Sequence, residues 1–301
     1  MKELLRKNIE FGLLLVLVTL GKWTPMWILH GLTTLIAYIL VYITTIRGNK
    51  TIARNFRRAY HQSLSKAELR RMTIRYYEAL GDYTVEFTKR SHFSKESMMK
   101  HCQFRNLELL DEMFREHRFV ICYGGHMVNY EWQTSFPLWR PNYGMCHLYR
   151  GAKQSAGLDY VMRERSLFGA INISTKSPLR TLVELNRQMD EGTAPHKGYI
   201  FGTLAEMDPG NKASHSCPFM RDYQLEVSTV SERIGRQMDM GFVYAHMRRI
   251  KRGYYEIELH EMRPNDRDTN PYAYTDDFVR RLEQNILEQP ELWMQWGECR
   301  F

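Results

Sequence analysis

The chain has 301 residues, 44% hydrophobic and 13% aromatic, which is ample for the core of one large α/β domain or two small ones. Its formal net charge of +8 suits nucleic acid, an anionic lipid surface or an acidic protein partner. Five scattered cysteines (Cys102, Cys122, Cys146, Cys217 and Cys299) form no Cys-x-x-Cys pair, which argues against a zinc knuckle or disulfide framework and fits a reducing compartment.

The first elements are apolar. Residues 11–20 are uncharged, and after Gly21-Lys22 a second run from Trp23 to Ile46 holds twenty-four residues with no Lys, Arg, Asp or Glu. A bilayer needs roughly 20. No small-residue cleavage motif follows, so the segment predicts an anchor and not a signal peptide. Lys22 and Pro25 divide the runs, and one span with an interfacial segment and a hairpin both fit. Arg47, Lys50, Arg54, Arg57 and Arg58 come next, with no acid until Glu68. The positive-inside rule puts this flank on the cytoplasmic side. There it gains about 1 kcal/mol per basic residue against anionic lipid. The expected organisation is an anchor over 1–46 and one α/β domain over 47–301, with 47–118 a helical lead-in and 119–301 the core.

Ser65-Lys-Ala-Glu68 is a capping box that predicts a helix continuing to about Arg90. Asn106 is placed to cap a helix bearing Leu107, Leu110, Met113 and Phe114. Strands are then expected at 119–123, 144–149, near 171–173 and at 198–204. Helices are expected around 157–168, from Ser177-Pro178, and near 226–236. Strands 241–246 and 254–259, joined by the basic segment Arg248–Gly253, predict a hairpin, and a final helix spans about 275–288. Strands alternating with helices mean a mainly parallel sheet flanked by helices, with sites at the carboxyl ends of strands.

One stretch concentrates the chemistry: Phe119-Val-Ile-Cys-Tyr-Gly-Gly-His126-Met-Val-Asn-Tyr-Glu131-Trp132. Gly124 and Gly125 free the backbone for a turn after the strand. A histidine at a strand end with a carboxylate in reach is a sensible general base. Residues five apart on one helix point about 140° away from each other, so His126 must sit in the turn before the helix, with Asn129 as its cap. Taken alone, the pair also reads as a strand-end histidine and an unrelated surface carboxylate. There is no Gly-x-Gly-x-x-Gly, Walker loop, Gly-x-Ser-x-Gly elbow or His-Glu-x-x-His, so neither a nucleotide cofactor nor a catalytic metal has local support. The basic cluster at 47–58 follows a membrane-length segment, which favours phospholipid head groups over nucleic acid; the one at 248–252 reads as a solvated turn.

In order along the chain, several segments resemble those of the late acyltransferases of lipid A biosynthesis, within the wider lysophospholipid acyltransferase group. They are Arg47-Gly-Asn-Lys through Tyr60, Asn106-Leu-Glu-Leu-Leu, Gly125-His126-x4-Glu131-Trp132 and Arg165-Ser-Leu-Phe-Gly169. Ala205-Glu206-Met-Asp208-Pro209 and Pro290-Glu291 through Arg300-Phe301 complete the series. The resemblance implies a glycerol-phosphate-acyltransferase-like fold, O-acyl transfer without cofactor or metal, an acyl-carrier protein as donor and a lipid A precursor as acceptor. It also implies a bacterial inner-membrane location with the catalytic domain on the cytoplasmic face. His126 is then the base and Glu131 the carboxylate that orients it. Arg165, with Gly125, serves either the oxyanion or an acceptor phosphate, and either Glu206 or Asp208 is the acidic-loop residue. Val128-Asn-Tyr130 stands where the family holds Gly-Asn-Trp, Glu206-Met207 replaces Asp-Gln, and Gly297-Glu-Cys-Arg300 replaces His-Arg-Arg. These departures bear on the acceptor, leaving a glycerophospholipid or aminolipid as the alternative, with a non-catalytic lipid-binding member as the rival class.

Overall fold

The computed structural model describes residues 19, 21–46, 50–61, 63–149, 156–174, 178–206 and 214–298. Its centre is strand β2 (Phe119–Gly124), whose six residues are all buried. A strand covered on both faces reads as an unbroken apolar run, as this one does. Around it stand β1 (Cys102–Arg105), β3 (Tyr143–Tyr149), β4 (Ile171–Ser174), β5 (Gly198–Leu204), β8 (Gly241–Lys251) and β9 (Tyr254–Glu261), in the order β1-β9-β8-β2-β5-β3-β4. Neighbours are parallel except β8 and β9, the expected hairpin. β6 (Ser214–Phe219) and β7 (Tyr223–Ser228) form a separate antiparallel pair.

Helices α1 (Met26–Ile46), α2 (Thr51–Ala59), α3 (Lys66–Arg90), α4 (Lys95–His101) and α5 (Glu108–Glu116) make up the first third, with β1 between α4 and α5. Helices α6 (Ala156–Ser166), α7 (Pro178–Asp190), α8 (Val230–Gln237) and α9 (Ala273–Glu288) follow. The Ser65–Glu68 capping box forms in both directions at the start of α3.

Three expectations change. The helix expected near 226–236 begins only at Val230, because Leu225 and Val227 point inward two residues apart and belong to β7. Asn106 does not cap α5: it takes a left-handed φ of 58° and donates its amide to the Leu259 carbonyl at 2.7 Å. The basic segment 248–252 is not a solvated turn. Arg248, Arg249 and Lys251 lie in β8, and Arg252 is folded inward.

That inward arginine meets α1. α1 is long and apolar enough to cross a membrane. Its outer face bears exposed Trp27, Leu35, Tyr38 and Tyr42, while Leu29, His30, Thr33, Ala37 and Val41 are buried along the side packed on α3. Gly81 permits the approach, since a Cβ there would stand 2.8 Å from Thr33 Cβ. Thr33 donates to Asp82 at 2.7 Å and Thr34 to Glu78 at 2.5 Å. Arg252 bonds Asp82 through Nε at 2.8 Å and again through Nη2, while Nη1 reaches Thr34 at 2.8 Å. Arg249 stands 3.5 Å from the same carboxylate.

Asp82 is fully buried beneath two arginines, and removing one partner of a buried pair leaves an uncompensated charge. Asp82→Ala is therefore expected to lower the unfolding free energy by about 3 kcal/mol. Thr84→Ala, two residues on and on the exposed opposite face of α3, should change it by under about 0.5 kcal/mol. Denaturant unfolding in detergent micelles checks both.

Candidate active site

β2 ends at Gly124, and the chain turns through Gly125 and His126 beyond the carboxyl end of the central strand. Conformational freedom is not why the glycines are there: neither takes a positive φ. Space favours glycine at Gly125, because a Cβ there would make the Leu282 side chain of α9 shift. The left-handed residue is Asn129, at φ 65°, ψ 25°. That conformation costs a side-chain-bearing residue about 1 kcal/mol and is most readily taken by asparagine. It separates the His126 turn from a 3-10 helix over Tyr130–Leu138. Asn129 is the residue before this helix but makes no capping bond; its amide reaches Glu86 and Tyr255 instead.

The turn is clamped from behind by the C-terminal segment. Val128 N–H donates to the Leu292 carbonyl at 2.7 Å, and Met294 N–H to the His126 carbonyl at 2.9 Å. Val128 itself is buried in the core. Trp293 and Trp296 are fully buried beside this contact, their ring centroids 5.1 Å apart. Asn55 of α2 holds the Trp296 carbonyl at 2.8 Å, and Tyr76 of α3 donates to that of Met294 at 3.0 Å.

His126 is buried, and Glu206 Oε1 is 2.9 Å from its Nδ1 and also accepts its backbone N–H. A carboxylate on Nδ1 fixes the tautomer with the proton on that nitrogen and leaves Nε2 as the base. Burial draws the His126 pKa down, but the charge and hydrogen bond of Glu206, with a smaller contribution from Glu131, more than reverse this and the net shift is upward. The Tyr130 ring lies edge-on to the imidazole at a centroid distance of 5.0 Å and stacks on Tyr83 of α3 at 6.0 Å. Burial and the charge of Glu131 push the Tyr83 hydroxyl up to about 12, and the same two causes move Tyr130 upward, so both stay neutral donors.

Glu131 does not meet His126. It is buried and takes two hydrogen bonds from Arg165 of α6, Nε–Oε2 at 2.8 Å and Nη2–Oε1 at 2.6 Å. Burial would raise its pKa, but the hydrogen bonds and charge of Arg165 hold it below the ordinary carboxylate value. Arg165 is moved upward in return, against its own burial. Beneath them, Arg90 of α3 is wholly buried and donates Nη1 to the Glu131 carbonyl at 2.9 Å; burial pushes its pKa down to about 10, which leaves it charged. His147 of β3 is pushed down to about 3 by burial and then by Arg165, so it stays neutral.

The structure thus brings His126, Glu131, Arg165, Gly125 and Glu206 to one end of the sheet, but exchanges the partners expected from sequence. The orienting carboxylate on the imidazole is Glu206, and Glu131 belongs to Arg165. The physical reason is strand register. Gly124 stands opposite Leu204 in the parallel pair β2–β5, so two residues further on His126 faces Glu206. Asp208 and Pro209 lie outside the described residues. Tyr83 and Arg90 carried no local motif; only their place on a long amphipathic helix could have signalled them.

A sequence-family profile described as bacterial lipid A biosynthesis acyltransferase matches residues 3–298, nearly the whole chain. No curated protein matches it.

The electrostatics of the pair are open to a test that needs no activity. In a histidine-labelled sample, His126 should titrate above the ordinary 6.5. In Glu206→Gln the carboxylate is gone while burial remains, so the titration should move to lower pH. An unchanged titration in the variant contradicts the pairing.

Proposed function

The chain belongs to the bacterial lipid A biosynthesis acyltransferase family, and from that premise we propose that it moves a fatty acyl chain from the thioester of an acyl-carrier protein to a hydroxyl of a lipid A precursor. The observation that carries the chemistry is the hydrogen bond between Glu206 and His126 Nδ1. It leaves Nε2 as the nitrogen with no hydrogen bond among the described residues. Nε2 takes the proton of the acceptor hydroxyl as that oxygen attacks the thioester carbonyl. Glu206 stabilises the imidazolium that results. The tetrahedral oxyanion collapses, the carbon–sulfur bond breaks, and the imidazolium returns its proton to the carrier's departing thiolate. Glu131 spends its charge on Arg165 and acts by fixing the guanidinium, whose Nη1 is outside that ion pair and suits either the oxyanion or a phosphate of the acceptor.

Membrane attachment is part of the same reading. The apolar outer face of α1 supports an anchor, with residues 1–46 as the attached segment and 47–301 as the catalytic unit. Exposed Arg54 and Arg57 on α2, with Arg70 and Arg71 on α3, support contact with anionic lipid or an acidic carrier at the cytoplasmic face of the inner membrane. The bulk of Val128 is accommodated in the core, so it gives no reason to move away from a lipid A precursor.

Purified protein in detergent, given acyl-carrier thioester and a lipid A precursor, should show transfer. His126→Ala should lose about 10²–10⁴-fold in kcat, the usual worth of a positioned proton acceptor. Glu131→Gln should lose activity together with stability, because it leaves Arg165 buried without its counter-charge. Undiminished turnover by His126→Ala overturns the mechanism. Acylation of a glycerophospholipid in place of the lipid A precursor overturns the choice of acceptor.

A further inference from the structure

Behind the catalytic turn lies another buried carboxylate that the proposed chemistry does not use. Glu86, near the end of α3, is fully buried. Its Oε1 stands 2.7 Å from His30 Nε2 of the anchor helix. Its Oε2 accepts the hydroxyl of Tyr255 at 2.8 Å and the side-chain amide of Asn129. That amide also donates to the Tyr255 hydroxyl at 2.8 Å, closing a triangle. Gly253, at the tip of the β8–β9 hairpin, roofs the pair: a Cβ there would stand 3.4 Å from His30 Cε1 and 3.8 Å from Glu86 Oε1. Asp82 lies near enough to His30 and Glu86 to suggest a cation site. Its oxygens already bind Arg252 and Arg249, whose charge stands where a metal would.

Asn129 is the left-handed residue between His126 and Glu131, and its Oδ1 has no partner among the described residues. Among the described residues its side chain is therefore held through Nδ2, by Glu86 and Tyr255. That amide is one tie on the turn, beside the backbone bonds to Leu292 and Met294, and it is the one nearest the step between His126 and Glu131. Glu86 in turn has one of its two oxygens committed to the anchor helix.

We propose that Glu86 is a positioning residue that ties the anchor helix, through His30, to the active-site turn, through Asn129. The anchor then does more than hold the enzyme at a surface, because part of the scaffold of the catalytic turn is built on it. The inference rests on the acyl-transfer reading for its kinetic readout only; amide exchange reports on the turn independently.

The test uses the full chain in detergent micelles. Glu86→Leu, which fills the space but accepts nothing, should lower kcat about 10²-fold, the usual cost of a catalytic group misplaced by about 1 Å. Glu86→Gln, whose amide oxygen can still accept from Asn129 and Tyr255, should recover most of it. His30→Leu should lower kcat about 10-fold with KM and micelle association unchanged, and should speed amide exchange across Met127–Trp132. Asn129→Gly keeps the left-handed backbone accessible but removes the amide, and in that background His30→Leu should have almost no further effect. A His30→Leu effect that persists in full in the Asn129→Gly protein overturns the connection. So does wild-type exchange over 127–132 in His30→Leu, or activity lost only in proportion to the fraction of protein folded. Wild-type protein lacking acyl transfer would defeat the functional reading, and the exchange measurement would still decide this one.

Discussion

Gly124 of β2 stands opposite Leu204 of β5, and from that register the site follows. Two residues past each strand end, His126 and Glu206 come together, and no other element has to bend to make them meet. β2 can dictate this because it is buried on both faces and paired on both edges, by β5 and by β8. A one-residue slip would reverse every side chain of the strand between the two layers of the core. The core thereby fixes a register that these two polar side chains, being few, could not enforce.

Around that constraint the protein distributes buried carboxylates, each with a different cationic or polar partner. Asp82 takes the hairpin arginines, Glu86 takes His30, Asn129 and Tyr255, Glu131 takes Arg165, and Glu206 takes His126. Two of the four involve the apolar helix α1, through Thr33 and His30. Buried charges are tolerated only when paired or hydrogen-bonded, so the pairings are mutually exclusive assignments and not a pooled acidic environment. This is why Glu131, with Arg165 held on two bonds, is not at liberty to serve the imidazole.

Much of this was legible in the residues. β5 lies at 198–204 as its apolar run indicates, the Ser65–Glu68 box starts α3, and His126 does sit in a turn ahead of a helical segment. The alternation of strands and helices announced a mainly parallel sheet, with its site at the carboxyl ends. What could not be read was which strands are neighbours. Spacing alone brought His126 to Glu131, five positions away, whereas the partner arrives from eighty positions away through the β2–β5 pairing. The same blindness hid Glu86 and Asn129, whose contact depends on how α3 crosses behind the turn. It also hid the four-residue edge strand β1, too short to show a period, and the hairpin β6–β7, whose inward Leu225 and Val227 pass for one side of a helix.

The pH dependence of kcat for acyl transfer, compared between wild type and Glu206→Gln, tests the central pairing most directly. In the proposed mechanism His126 takes a proton only when neutral, so activity should rise with pH through its pKa. The account predicts that the wild-type rise is centred above the ordinary histidine value of 6.5. It also predicts that Glu206→Gln has a lower plateau and a rise displaced to lower pH. A variant that keeps both the wild-type plateau and the wild-type midpoint would contradict it.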